Sequence, residues 1–354
     1  MLNYNLLFKL DPFNMVKKEK DLLFFKNILK LSKFHYKNSN DYKILTDNLF
    51  KKINKKRKIT DLPFVHTSAF KNFNLDSSIR DKNYSIFNSS GTSGKNKSKI
   101  NIDTKTSILQ SKTLEKIFSN KINKNDDIFF IEKENILSTK DAYSAKGAAI
   151  KGFGQLCRKK IFLLDKNNKP KISILKNYLN RNPKKKFILF GFTSTIWINF
   201  LQYLKKNKIF LKKNKSILIH GGGWKKMTSL NINNNLFKND VKKILGCSKI
   251  FNYYGMIEQT GSIFLECESG FFHCSIFSDI FVRNSNLKVC RTNETGLIQT
   301  MSLLPLSYPG HNLLTEDIGK IEGIDDCKCG NKGKYFSIKG RVPDSELRGC
   351  SDVT

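Results

Sequence analysis

The run Phe187-Ile188-Leu189-Phe190, followed by a helix-like segment from Ser194 to Lys206, decides the fold class of this 354-residue chain. A short apolar run that gives way to apolar residues at helical spacing reads as a strand followed by a helix. The alternation extends in both directions, with Ile217–Ile219 ahead of Leu236–Leu245, and Ile128–Ile131 and Ile161–Leu164 upstream. That pattern predicts a layered α/β domain with substantially parallel strands. Nearer the N-terminus, Asp21 to Lys33 and Asp41 to Lys52 mix apolar residues at helical spacing with Lys, and no Pro stands between Pro12 and Pro63. Helices are expected there. After Glu258 the strand candidates Ser262–Glu266, Ile280–Arg283, Gly296–Met301 and Tyr335–Ile338 follow closely, punctuated by Gly, Asn and Asp. A β-rich section is expected. The organisation read from sequence is therefore a helical region over residues 1–60, an α/β core over 61–258 and a β-rich subdomain over 259–354. No internal repeat of fixed period is present.

Composition agrees with one enzyme-sized body. The length exceeds the roughly 250–300 residues at which one hydrophobic core stops growing, so a large domain with a smaller attachment is expected. Twenty-eight Phe and a hydrophobic fraction of 39% supply the core. A net charge of +33 invites a nucleic-acid reading, but only eight of the 63 basic residues are Arg, whose forked guanidinium phosphate and base recognition favour. The excess of Lys comes with an excess of Asn, Ile and Phe, the mark of a biased genome, and the densest run, Lys51 to Lys58, reads as solvated surface. No nucleic-acid partner is expected. Residues 1–10 lack a cationic region followed by a long apolar one, and no apolar stretch reaches the ~18–20 residues a membrane span requires. A cytoplasmic protein without a membrane span is the expectation.

Four short motifs carry chemistry. Ser89-Ser90-Gly91-Thr92-Ser93-Gly94, followed by Lys95, Lys97 and Lys99, combines flexible glycines with hydroxyls that can wrap phosphate oxygens. It lacks the Walker spacing, and by itself reads equally as a Ser/Gly turn. Tyr253-Tyr254-Gly255-Met256-Ile257-Glu258 follows an apolar strand candidate and ends in an acid able to hold Mg²⁺. Thr315-Glu316-Asp317-Ile318-Gly319 places an acid in a turn, and Gly340-Arg341 closes another strand candidate.

In this order and spacing the motifs resemble the adenylate-forming superfamily of acyl-CoA synthetases and related ligases, and most nearly its LuxE-type acyl-protein synthetases. The match runs from Leu62-Pro63-Phe64 and Phe70-Lys71, through His220-Gly221-Gly222-Gly223-Trp224-Lys225 and Tyr254 to Gln259, to Gly340-Arg341-Val342-Pro343 and Glu346-Leu347-Arg348-Gly349-Cys350-Ser351-Asp352. The resemblance implies the large N-terminal domain of an adenylate-forming ligase, with the mobile C-terminal lid absent. It implies ATP-dependent activation of a fatty acid, long-chain by analogy, as an acyl-adenylate, then transfer to a protein thiol. Cys350 would accept the acyl group, with Arg348 nearby to favour its thiolate, for delivery to a partner such as a fatty acyl reductase or a carrier. Ser89 to Gly94 would cradle the ATP phosphates, Glu258 would reach Mg²⁺, Asp317 and Arg341 would hold the ribose, and Gly221, Gly222 and Gly223 would pass the adenine beside Tyr254. Trp224 reads as a stacking ring or as buried aromatic, and Lys225 as a phosphate partner or as surface.

Cys267-x5-His273 and Cys327-x-Cys329 form a Cys₃His set suited to a structural zinc ion, with Cys274 a substitute ligand. Phenylacetate-CoA-ligase-like relatives have similar positions. The bland reading is buried free cysteines and a surface His. Cys157, Cys247 and Cys290, with His35, His66 and His311, read as core or incidental residues. Phe153, Phe192, Thr193 and Trp197 read as acyl-channel lining or as plain core. Two other functions compete: a ligase that hands the adenylate to coenzyme A or a carrier thiol, and a non-enzymatic nucleic-acid binder, disfavoured because Lys is spread along the whole chain.

Overall fold

The computed structural model describes residues 2–50, 58–78, 84–88, 98–138, 143–222, 230 and 232–342. The described residues form two compact units, the first from the residues up to 117 and from 255 to 342 and the second from residues 118 to 254. It begins in the first unit with helices Tyr4–Lys9, Lys17–Asn38 and Asn40–Leu49. Asn3 and Ser39 cap the first and third through their side chains. Strand β1 (Val65–His66) runs parallel to a later strand of the same unit, and β2 (Tyr84–Asn88) pairs with β3 (Lys99–Asp103) as an antiparallel two-stranded sheet.

Helix Thr104–Phe118 leads into the second unit, whose strands are β4 (Asp127–Lys133), β5 (Lys159–Leu164), β6 (Phe187–Phe192), β7 (Ser216–Gly221) and β8 (Lys249–Tyr254). All are parallel, in the order β8-β7-β6-β4-β5. Every residue of β6 and β7 is buried, as expected of a parallel sheet covered on both faces. Phe129, Leu189 and Leu218 of the sheet pack with Trp197, Phe200, Phe237 and Val241 from the helices in one core. Each such side chain stabilises by about 1.5–3 kcal/mol relative to exposure. The helical segment expected after β6 is present, but its middle, Ile196–Leu201, is a π-helical turn. Helix Asn234–Leu245 shows ordinary stop signals: Asn233 caps its start, and Gly246 ends it at φ +65°. A Cβ at Gly246 would stand 2.3 Å from the Lys212 carbonyl, so only glycine fits.

The chain then returns to the first unit as β9 (Phe264–Glu266), β10 (Phe272–His273), β11 (Ser278–Arg283), β12 (Thr295–Ser302), β13 (Asn312–Ile324) and β14 (Lys334–Arg341). Antiparallel pairing joins β11, β12, β13, β14, β10 and β9 in that order, with β1 alongside β13. The β-rich section is thus as expected, and the fold is mixed α/β. No described helix is long and apolar enough to cross a membrane.

Candidate functional site

Register in the first unit brings two expected site residues together. Asp317 of β13 is the strand partner of Arg341 at the end of β14. The guanidinium Nε lies 3.1 Å from Asp317 Oδ1, and its Nη2 lies 2.6 Å from Glu316 Oε2. Glu316 is a partner that sequence reasoning passed over, although it sits inside the quoted motif. The Thr315 to Gly319 segment lies in strand rather than in the expected turn, because long pairing with β12 and β14 carries β13 straight through it; a bulge falls between Ile318 and Gly319. The Thr315 hydroxyl donates to the Ile298 carbonyl and accepts from the Asp317 N–H, which fixes the backbone that presents the carboxylate.

Glu258 stands in the short 3₁₀ turn Ile257–Gln259 of the same unit. Its neighbour Gln259 is buried and donates from its amide to the carbonyls of Thr300 and Gly310, anchoring the turn to β12. Burial pushes the Glu258 carboxyl above the usual carboxylate range; its own backbone N–H, the Ser98 side chain and the positive charges of Lys71 and Arg341 oppose the rise. Glu258 and Arg341 therefore share one electrostatic neighbourhood. Ser98 carries no sequence signal, whereas Lys71 lies in a quoted motif without an assigned role. His66, read as incidental, has its imidazole lowered by burial, with Glu316 and Lys71 pulling in opposite directions. Ser89 to Gly94 lie outside the described residues; their flanks Asn88 and Lys99 are register partners in β2 and β3.

In the second unit the expected glycine loop begins at the C-terminal end of β7, the end at which open α/β sheets bind ligands. Gly221 pairs with Tyr253 of β8, and a Cβ there would meet the Tyr253 ring at 2.5 Å. Gly222 adopts φ +92°, which glycine accommodates without strain. His220 is buried, bonded to the Thr193 hydroxyl at 2.9 Å and packed on Phe237, and burial lowers its imidazole to about 3. Tyr254 is partly exposed at the end of β8. Beside these, Lys146 and Glu132 form a buried ion pair of 2.6 Å at the end of β4, where the strand order switches direction. No sequence motif marked that pair. Phe153, Phe192, Thr193 and Trp197 are all buried, and Trp197 sits in the core cluster with Phe129 and Phe237. Gly223, Trp224, Lys225 and Cys350 lie outside the described residues.

The Cys/His set converges in the first unit. Sulfur and nitrogen atoms of Cys267, His273, Cys327 and Cys329 all lie within 4.8 Å of one another. Cys267 Sγ is 3.9 Å from Cys327 Sγ, and Cys329 Sγ is 3.3 Å from His273 Nε2. Tetrahedral zinc, with Zn–S about 2.3 Å and Zn–N about 2.0–2.1 Å, requires ligand atoms about 3.5–3.8 Å apart, so the set fits the ion. Two matching turns present the sulfurs: Gly270 N–H donates to the Cys267 carbonyl and Gly330 N–H to the Cys327 carbonyl, both glycines at φ above +80°. Burial resists ionisation of the Cys267 thiol, but bonding to His273 and to the Phe271 and Ser269 backbone outweighs it, so its pKa falls below the ordinary thiol value. Cys274 stands outside the set, buried and raised to about 12, in a pocket of charge formed by Lys20, Asp279 and Lys334.

The acyl-protein synthetase profile designated LuxE matches residues 3–354. The chain belongs to the LuxE acyl-protein synthetase family. Among solved structures, 2-hydroxyisobutyryl-CoA ligase in an open conformation with 2-HIB-AMP and CoA is similar at TM-score 0.70 and 14% identity, over 94% of this chain and 77% of that one. The same ligase in the postadenylation state with 2-HIB-AMP gives 0.68 and 14%, over 94% and 70%. At this identity the likeness is one of fold: the LuxE chain shares the architecture of that CoA ligase. No curated protein matched the chain.

Proposed function

We propose that this LuxE-family protein uses ATP to activate a fatty acid, long-chain by analogy with its family, and passes the acyl group to its own Cys350 thiol for delivery to an acyl reductase or carrier. The family match over residues 3–354 carries the reading. In the first step a carboxylate oxygen attacks the α-phosphorus of ATP, the bond to the β-phosphate oxygen breaks, and pyrophosphate leaves. In the second the Cys350 thiolate attacks the acyl carbon, and AMP leaves with the electron pair of the anhydride bond.

Asp317 accepts hydrogen bonds from the ribose hydroxyls, and Arg341, held between Glu316 and Asp317, keeps that carboxylate aimed. Glu258 is the residue offered to Mg²⁺, which when bound neutralises phosphate charge and favours the carboxylate form that burial alone disfavours. Ser89 to Gly94 cradle the phosphates, and Gly221 to Gly223 with Tyr254 form the adenine side. Cys267, His273, Cys327 and Cys329 hold a structural zinc ion, whose chemistry is to cross-link the β9–β10 turn to the segment before β14.

Incubation with ATP, Mg²⁺ and a panel of carboxylic acids, read by pyrophosphate release and intact protein mass, tests this. Pyrophosphate release with an acyl-sized mass gain that Cys350→Ser abolishes is the expected result. Release without any mass gain would move the acceptor to coenzyme A or a carrier thiol, and no release with any acid would sink the reading.

A further inference from the structure

The amino ends of the parallel strands in the second unit form a face of their own. Strands β4 to β8 start in register: Asp127 pairs with Lys159 and Phe187, Phe187 with Ser216, and Ile217 with Lys249. Helices between parallel strands run back the other way, so their carboxyl ends arrive at the same pole, opposite the strand ends that carry His220 and Gly221. The segment from 205 to 215, which joins helix Gln202–Lys206 to β7, crosses this pole. Six of its eleven residues are Lys and none is acidic, against 55 Lys in the 354 residues of the chain, so the local density exceeds the general bias.

Its lysines Lys206, Lys208, Lys212, Lys213 and Lys215, with Lys249 at the start of β8, are exposed. The segment is clipped in place. Leu211 N–H donates to the Ile244 carbonyl, and Asn214 donates from its backbone and side chain to the carbonyls of Gly246 and Leu245. That clip sets it beside Lys242 and Lys243 in the last turn of helix Asn234–Leu245. Among the described residues, Asp240 is engaged by Lys205 at 2.6 Å, Asp126 by Lys186 at 3.0 Å, and Asp127 by Arg158 and Lys185. In the middle of the lysines Phe210 is 53% exposed, while its neighbours Ile209 and Leu211 turn into the core cluster.

We propose that this face docks the protein on an anionic lipid bilayer, with Phe210 entering the headgroup–acyl boundary and the surrounding ammonium groups meeting lipid phosphates. Lysine clusters attract an anionic leaflet by charge alone and need no forked geometry, whereas nucleic-acid phosphate and base recognition favours Arg, of which this segment has none. Protein interfaces are depleted in Lys at their centres, which argues against an acidic protein as occupant. An aromatic tip set among lysine stems is the arrangement that binds membrane surfaces without spanning them. Bilayer docking suits an enzyme whose substrate partitions into lipid, although the docking itself involves neither ATP nor acid.

The test is co-sedimentation of the full chain, without ATP or fatty acid, with vesicles of phosphatidylcholine alone or mixed with phosphatidylglycerol. Binding to the mixed vesicles alone, weakened by added salt, is expected. At about fivefold per lysine, the triple change Lys208→Glu, Lys212→Glu, Lys213→Glu should weaken it by about a hundredfold or more, and Phe210→Ala should weaken it at constant charge. A second triple, Lys26→Glu, Lys30→Glu, Lys33→Glu on helix Lys17–Asn38, makes the same change in net charge and should bind much more tightly than the first. Equal losses from the two triples would reduce the effect to total charge and overturn the proposal. So would failure of the wild type to bind anionic vesicles, including the case in which it binds duplex DNA instead. Thermal melting of each variant separates loss of the face from loss of the fold, and pyrophosphate release, measured separately, reports on the enzymatic reading alone.

Discussion

At the scale of single residues, the candidate-site arrangement with the most defined geometry is the Glu316–Arg341–Asp317 group. One guanidinium serves two adjacent carboxylates, so removing either carboxylate leaves a cation with one partner, and only Asp317 is assigned to the nucleotide. Asp317→Asn should lower kcat/KM for ATP by about ten- to a hundredfold, the worth of one charge-assisted hydrogen bond. Glu316→Gln should cost less, because Asp317 retains both its charge and its strand partner. Pyrophosphate release measured against ATP concentration checks both; an unchanged value in Asp317→Asn would remove that residue from the nucleotide site. Glu258, Asp317 and Arg341 stood out as candidates in the sequence because their spacing along the chain resembles a family pattern. Glu316 and Ser98 were not, since the partner of a buried charge is set by strand register and by chain segments that are distant in sequence.

At the scale of elements, the Cys/His ribbon holds the start of the long N-terminal helix. The Pro12 carbonyl accepts from Ile276 N–H and the Phe13 carbonyl from Lys332 N–H, at 2.8 and 2.7 Å. Lys17 N–H donates to both oxygens of Asp325, and buried Lys20 donates to the Cys274 carbonyl. These partners lie at residues 274–276 and 325–332, beside the four candidate ligand positions, so a zinc cross-link there would also stiffen the anchor of the helix. Metal removal by chelation, or Cys329→Ser, should speed amide hydrogen exchange at residues 13–20 and in 325–334. Exchange that is the same in both segments with and without metal would show that the anchor stands without the ion. The helix after β6 illustrates the limit of periodicity: its apolar spacing identifies a helix but carries no sign of the π-helical turn at Ile196–Leu201, whose Trp197, Phe200 and Leu201 lie in the core cluster.

At the scale of the whole molecule, a loss of stability in acid follows from three of the buried imidazoles, His35, His220 and His311. His35 and His311 stack with ring centroids 4.9 Å apart, and Ser32 bonds His311 at 2.9 Å. Burial lowers His35 to about 3 and His311 well below its ordinary value, and His220 in the second unit falls to about 3. The folded pKa values lie below the unfolded value of about 6.5, so the unfolded chain binds more protons as the medium turns acid. Their stabilising contribution is complete above pH about 6.5 and is lost progressively as pH falls toward 3. Between pH 6.5 and 5 His35 and His220 should each cost about 2 kcal/mol. Denaturant melts across that range should show stability falling steadily, and replacing His35 or His311 with Gln should flatten the slope; a slope unchanged by either replacement would exclude these imidazoles as its source.

The sequence by itself determined the alternation of buried strands and helices, the β-rich section after Glu258, and the family to which the chain belongs. Those properties reside in local periodicity and in the order of short motifs, which a linear chain displays in full. Only the tertiary structure decided that the N-terminal helices and the β-rich section share one compact unit, and that Cys267 and His273 meet Cys327 and Cys329. It alone set the lysine-rich segment 205–215 beside Lys242 and Lys243 at the end of helix Asn234–Leu245. Each of these depends on contacts between residues tens to hundreds of positions apart, and such contacts follow from strand order and register rather than from neighbouring residues.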